Sequence, residues 1–236
     1  MPKTDSSAQP TPQRRSYHSP RRRANAAETR QAVLDAATYL FTTRGWSATG
    51  MRDIARRAQV SVETVYATAG TKPDLLLRVI DVALVGDSEP IPVADRPEFL
   101  ALGTGGLADR AVAAADLLTA QFGRVALLER TLAHAAAADP DLAVRQRAQH
   151  ERRRVNFRQA AALVLGRDPD PDLVDGLWAV GSPDVYLLLV ENSGWTPQRY
   201  RDWIADAIIR LLGPDPRTAA DASPRSDRPT EHREKS

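Results

Sequence analysis

With 236 residues, 42% hydrophobic and 26% charged, the chain can bury one large core or a small domain beside a larger one. It has no cysteine, which excludes disulfides and thiolate metal sites, and no unbroken apolar run of membrane-spanning length, the densest being Tyr186 to Val190. The net charge of +2 hides an asymmetry: residues 1–80 carry 13 Lys+Arg against 6 Asp+Glu, so the first third is the part suited to a polyanion.

Residues 1–24 are rich in Pro, Ser, Gln and Arg without hydrophobic period, which predicts a disordered basic arm. Such an arm either lays its arginines along DNA or is a solvated tail. No apolar stretch follows the basic residues, so no secretory signal is expected and the expected compartment is the cytoplasm. From Ala27 to Thr43, the positions Val33, Ala36, Ala37, Leu40 and Phe41 line one helical face; Gly45 ends the helix and Trp46 packs beneath it.

Two short helices come next. Met51, Ile54, Ala55 and Ala58 recur at helical spacing, Gln59 and Val60 break the pattern, and Ser61 opens a second helix carrying Val62, Val65 and Tyr66. This spacing predicts a helix-turn-helix, whose second helix can enter a DNA major groove. Ser61 as N-cap leaves Val62, Glu63 and Thr64 nearest the base edges. Val62 suits a thymine methyl, and Thr64 a base or a phosphate. Glu63 either accepts from cytosine N4 or complements the helix dipole, and the dipole role is preferred. Thr71 and Asp74 form a capping box for the next helix, which puts Lys72 at a helix N-terminus favourable to phosphate. Lys72 is also the only lysine outside the two ends of the chain.

The ordered set of a first helix from Ala27 to Gly45, RDIA at Arg52–Ala55, VS at Val60–Ser61, TVY at Thr64–Tyr66, GTK at Gly70–Lys72 and LL at Leu75–Leu76 resembles the TetR-like (TetR/AcrR) transcriptional regulators. The resemblance implies an all-α fold: an N-terminal three-helix DNA-binding domain over residues 25–72 and a helical ligand-binding and dimerisation domain over residues 73–212. It also implies a phosphate contact from the Tyr66 hydroxyl. The sequence departs from the family's pattern at Gly50, which replaces a capping Ser or Thr, and at Ala67, Thr68 and Ala69. The candidate DNA contacts are Arg52, Ser61, Val62, Glu63, Thr64, Tyr66, Ala67, Thr68 and Lys72.

Beyond Lys72 the pattern is helical throughout. One helix runs to about Val85, a loop covers Gly86–Asp95, and a short helix lies near Pro97–Leu102. Long helices follow over Leu107–Ala138 and Asp141–Gly166, then one with Leu173, Leu177 and Trp178. Ser182–Pro183 and Thr196–Pro197 open the last two helices, and residues 213–236 are an expected disordered tail. The last helix carries a clean stripe of Tyr200, Trp203, Ile204, Ala207, Ile208, Leu211 and Leu212. By resemblance, the last two helices pair between two copies, which places Tyr186, Tyr200, Trp203, Ile204, Ile208 and Leu211 at a dimer interface. Candidate lining groups for a small-molecule pocket are Phe122, Phe157, Trp178 and Tyr186.

DPDPD at Asp168–Asp172 lacks the glycine of a calcium loop, and GTGG at Gly103–Gly106 lacks the GK[ST] of a phosphate loop. The four histidines have no ligand spacing and no nucleophile motif is present, so neither metal, cofactor nor catalytic residues are expected. The expectation is a homodimeric regulator, most often a repressor in this family, on a palindromic operator of double-stranded DNA and released by an unknown small-molecule effector. The alternative is a helical small-molecule-binding protein or enzyme with a vestigial DNA-binding motif.

Overall fold

The computed structural model describes residues 20–212 apart from Ser88 and Pro90, and among these every regular element is helical. The expected tail at 213–236 and most of the expected arm lie outside the described residues. Residues 20–24, assigned to the arm, are instead the start of helix α1 (Pro20–Arg44). A proline suits a first helical turn because its missing N–H has no intrahelical partner there. Arg23 to Glu28 are exposed, so this stretch of α1 stands clear of the core.

Farther along α1, Val33, Leu34, Ala36, Ala37, Leu40 and Phe41 are buried against α2 (Met51–Ala58) and α3 (Val62–Ala69). Helix α4 (Lys72–Val85) buries Leu75, Leu76, Val79 and Ile80 between α1 and α6 (Leu107–Ala136), and so belongs to both halves of the molecule. A bend with a 3₁₀ turn at Val93–Asp95 and a one-turn helix α5 (Pro97–Leu100) lead into α6. Helices α7 (Pro140–Leu165), α8 (Pro171–Val180), α9 (Pro183–Leu187) and α10 (Pro197–Leu212) complete the chain. The end of α9 widens into a π turn over Leu188–Asn192.

Helix α6 is the central pillar, packed by α4, α7, α9 and α10. Its buried alanines, Ala111, Ala114, Ala115, Ala126 and Ala135, let those neighbours approach closely. By length and composition α6 and the stretch Pro171–Asn192 are apolar enough to cross a membrane, which a search for unbroken apolar runs overlooks. In the fold α6 spends that apolarity on the core, where Phe122, Val125, Leu128 and Leu132 are buried.

The α10 stripe requires a correction. Tyr200 and Ile204 are 0% exposed, and Ile208 and Tyr186 are 6% exposed, because α10 presses that face onto α6 of its own protomer. Side chains this enclosed cannot line a contact with a second copy. Of the expected interface set, Trp203 is half-buried and Leu211 is 41% exposed, and Leu188 on the π turn is open beside them in the sequence order of the same two helices.

Candidate nucleic-acid interface and ligand cavity

The turn between α1 and α2 is tied by the buried Thr49 hydroxyl, which donates to the carbonyls of Leu40 (3.1 Å) and Gly45 (2.8 Å). Gly50 caps α2 without a side chain, but the other half of the capping box survives: its N–H donates to Asp53 Oδ2 at 3.1 Å. The turn into α3 passes through Gln59, at φ 56° the one non-glycine residue with positive φ among the described residues. The left-handed step satisfies the end of α2, with the Val60 N–H reaching the Ala55 carbonyl at 3.0 Å.

Ser61 caps α3 as expected from its position, accepting from the Thr64 N–H at 3.1 Å, and its hydroxyl also lies 3.0 Å from that of Thr64. Val65 and Ala69 point inward, which leaves Ser61, Glu63, Tyr66 and Ala67 exposed and Val62, Thr64 and Thr68 half-buried. Tyr66 is 51% exposed, so its ring is not packed onto α1. Glu63 sits in the first turn, where its own backbone N–H and the Ser61 hydroxyl lower its carboxyl pKa. This geometry fits the role of dipole partner. Arg78 on α4 closes the other end of α3 by donating to the Thr68 carbonyl at 2.7 Å.

Around this face, Arg44, Arg52, Arg56 and Arg57 are exposed. Arg57 lies 3.4 Å over the Tyr39 ring, and Arg56 pairs with Asp53 at 3.3 Å. Arg52 on α2 makes neither contact. Lys72 is more embedded than its place in the sequence suggests. Its ammonium donates to the Trp46 carbonyl at 2.6 Å and lies 4.0 Å over the Trp46 ring, which stacks in turn on Phe41 at 5.9 Å. Partial burial lowers the Lys72 pKa. Thus Lys72 knots the α1–α2 turn to the start of α4, with N–H donors to spare. The α4 box is complete: Asp74 Oδ2 accepts from the Thr71 N–H at 3.0 Å. Its other oxygen receives Arg145 of α7 at 2.6 Å; the Thr71 hydroxyl, donating to Oδ2 at 2.6 Å, then Arg145 and the Thr71 N–H hold the Asp74 carboxyl down at about 2. The Lys72–Trp46 and Arg145–Asp74 pairs had no signature in the sequence, because each joins residues brought together by the fold.

This arrangement is that of a known family of DNA-binding domains. The sequence model for bacterial regulatory proteins of the tetR family matches residues 33–79. Residues 33–79 thus form a tetR-type helix-turn-helix DNA-binding domain. Over 54 residues it is 46% identical to the HTH-type transcriptional repressor Rv3405c of Mycobacterium tuberculosis, an alignment covering 23% of this chain and 29% of that protein. The match therefore spans less than a third of that relative's length. Two solved structures share the fold over most of the chain. A TetR-family member from Streptomyces coelicolor A3 has a TM-score of 0.54 at 22% identity, covering 79% of this chain and 99% of its own. The multidrug binding protein EbrR, complexed with imidazole, has a TM-score of 0.50 at 22% identity, covering 83% of this chain and 92% of its own.

Within the C-terminal half, a cavity of about 100 Å³ lies among α6, α7, α8 and α10. Three of the four residues expected from sequence line it: Phe122, Phe157 and Trp178. Phe157 meets Trp178 edge-on at 5.5 Å. Tyr186 does not line it; its ring is held between Phe122 (6.0 Å) and Tyr200 (4.9 Å) and belongs to the core. The polar lining consists of Gln121, Arg153 and Asn156. Arg153 lies 5.2 Å over the Trp178 ring and pairs at 3.2 Å with Glu129, which is 6% exposed and has its pKa raised by burial. A second, more polar groove of about 460 Å³ shares Leu84, Val93, Phe99, Leu117 and Gln121 with the cavity. Three of the four charges along it are already engaged, Glu98 being the exception among the described residues: Arg96 with Asp87 at 2.7 Å, Arg124 with the Ala83 carbonyl at 2.8 Å, and Asp116 with Arg201 at 2.6 Å.

Proposed function

We propose that the protein is a cytoplasmic, non-enzymatic repressor that binds a palindromic operator as a homodimer and is released by a small-molecule effector. The observation that carries this reading is the two-sided construction of α3. Val65 and Ala69 anchor it, while Ser61, Val62, Glu63, Thr64, Tyr66, Ala67 and Thr68 stand on or at the edge of its open face. Such a helix can lie in a major groove with its first turn against base edges. Arg52 and Lys72 flank it as phosphate contacts, Lys72 through the donors that Trp46 leaves unused.

Two copies would place their α3 helices about 34–36 Å apart, in successive grooves of one DNA face. Trp203, Leu211 and Leu188 are large apolar side chains of the last two helices left at least partly open to a partner copy. In this division residues 25–72 form the reading domain and 73–212 the effector and dimer domain, with α4 spanning the boundary. An effector in the cavity acts on DNA affinity only if it binds the two arrangements of the dimer unequally. Helix α7 offers a route for that inequality, because it carries Arg153, Asn156 and Phe157 at the cavity and Arg145 at the first turn of α4.

The test is fluorescence anisotropy with a labelled duplex from the region upstream of the protein's own coding sequence, against a scrambled duplex, at low and physiological salt. Sequence-preferring binding that weakens steeply with salt supports the repressor reading, since phosphate contacts release counterions. Equal, weak binding to both duplexes favours a small-molecule-binding protein with a vestigial reading helix.

A further inference from the structure

The cavity's chemistry is one-sided. Its walls are aromatic and aliphatic, and its polar members are Gln121, Asn156 and Arg153, with Arg153 the one charged residue in the lining among the described residues. Glu129, the counter-charge, sits outside the lining, behind the guanidinium, where it also lies 3.4 Å from the Gln149 amide. Arg153 gives Glu129 one nitrogen, and among the described residues its guanidinium makes no other protein hydrogen bond. A guanidinium has five N–H donors, so donors remain for an acceptor arriving from the cavity.

A cation has less to gain here. Aromatic faces attract cations, but the Trp178 face is already covered by Arg153 and its ring is engaged by Phe157. An incoming ammonium would also meet Arg153 before Glu129. A space of about 100 Å³ suits a single ring rather than a fused polycycle, since a dry apolar cavity of roughly 150 Å³ holds one benzene.

We propose that this cavity takes a monocyclic aromatic or similarly compact apolar molecule bearing one carboxylate or comparable anionic group, with the anion on Arg153 and the ring among Phe122, Phe157 and Trp178. This rests on the effector reading for the cavity's existence as a ligand site, and adds the ligand's charge and size. Binding makes Arg153 share its donors between Glu129 and the ligand.

The experiment is isothermal calorimetry of the full chain with benzoate, benzyl alcohol and benzylamine, which keep one ring and one carbon beyond it and change the charge. The anion should bind roughly ten-fold or more tightly than the alcohol, as a charge-assisted hydrogen bond implies, and the amine most weakly. Arg153→Gln removes the donor but leaves Glu129 buried without its partner, so the double variant Arg153→Gln/Glu129→Gln, neutral at both positions, is measured beside it. In the double variant the anion and the alcohol should bind alike. A preference for the amine or the alcohol in the unaltered protein, an anion preference that survives in the double variant, or no saturable binding of any of the three overturns the proposal. Release of a bound duplex by benzoate is read separately. Selective, Arg153-dependent binding without release leaves the ligand class standing and removes the effector role.

Discussion

The two halves of the molecule solve the problem of buried polarity differently. In the reading domain many polar ties are local and made at a helix end: Thr49 to Gly45, Gly50 to Asp53, Ser61 to Thr64 and Thr71 to Asp74 span three or four residues each. The C-terminal half has similar caps, as at Gly106 with Asp109 and Ser182 with Val185, but its enclosed charge is held by long-range ties between helices, as in Glu129 with Arg153 and Gln149. Short helices have few side chains to bury, so their ends must be satisfied in place. Long helices generate a wide core, and a charge caught inside it needs a partner on another helix.

The contrast is sharpest in two ion pairs made by α7. Glu129–Arg153 is enclosed, with side chains 7% and 13% exposed, whereas Arg145–Asp74 is open, at 48% and 40%. Removing one member of an enclosed pair strands the other, so Glu129→Ala should destabilise the fold by about 3–5 kcal/mol in denaturant titrations. A loss near zero would mean that water reaches Arg153. The pH dependence has a definite sign. Burial raises the Glu129 pKa above its usual 4.5, so the folded state holds the proton more tightly than the unfolded chain. On this group's account stability falls as pH rises from 4.5 through the raised value, and Glu129→Gln should flatten that limb.

Trp203→Asp tests the surface that remains once Tyr200, Ile204 and Ile208 are assigned to the protomer core. It should yield monomers by light scattering and an operator affinity lower by roughly 10²-fold, because two linked readers lose their mutual effective concentration. A variant that stays dimeric moves the interface away from α10. On the reading side, Thr64→Ala should cost about 1–3 kcal/mol at one base step if Thr64 reads a base. An unchanged sequence preference would leave Thr64 to the backbone and to its pairing with Ser61.

Lys72→Ala should weaken binding to all duplexes alike and lower the salt slope by about one, measured by anisotropy across a salt series. A change in preferred sequence would show that Lys72 acts by positioning α3 through Trp46 rather than by meeting phosphate. The smallest effect belongs to the open pair: Arg145→Ala should change stability by about 1 kcal/mol or less. A larger loss would make the α7–α4 contact a structural joint of the two domains.

Many helix starts were legible because their signals are local. Ser61, Thr71 with Asp74, and the prolines at 183 and 197 mark helix starts within the residues that form them. On α3 period gave Val62, Val65 and Tyr66 as the recurring positions, whereas the fold buries Val65 and Ala69 and exposes Tyr66. The cavity was legible in part: Phe122, Phe157 and Trp178 were visible as large aromatics on long helices, but nothing local separated them from Tyr186, which went to the core.

The chain's own order of residues determined that it is helical, where most helices begin and end, and which face of each is apolar, because capping, proline geometry and periodicity act within a few residues. Tertiary structure alone decided what each apolar face meets. It turned the α10 stripe onto α6, extended α1 back to Pro20, bound Lys72 to Trp46 and set Arg153 between Glu129 and an apolar cavity. A helical pattern states that a face must be covered. The identity of the cover is a property of distant residues arriving at the same place, and a local pattern has no record of them.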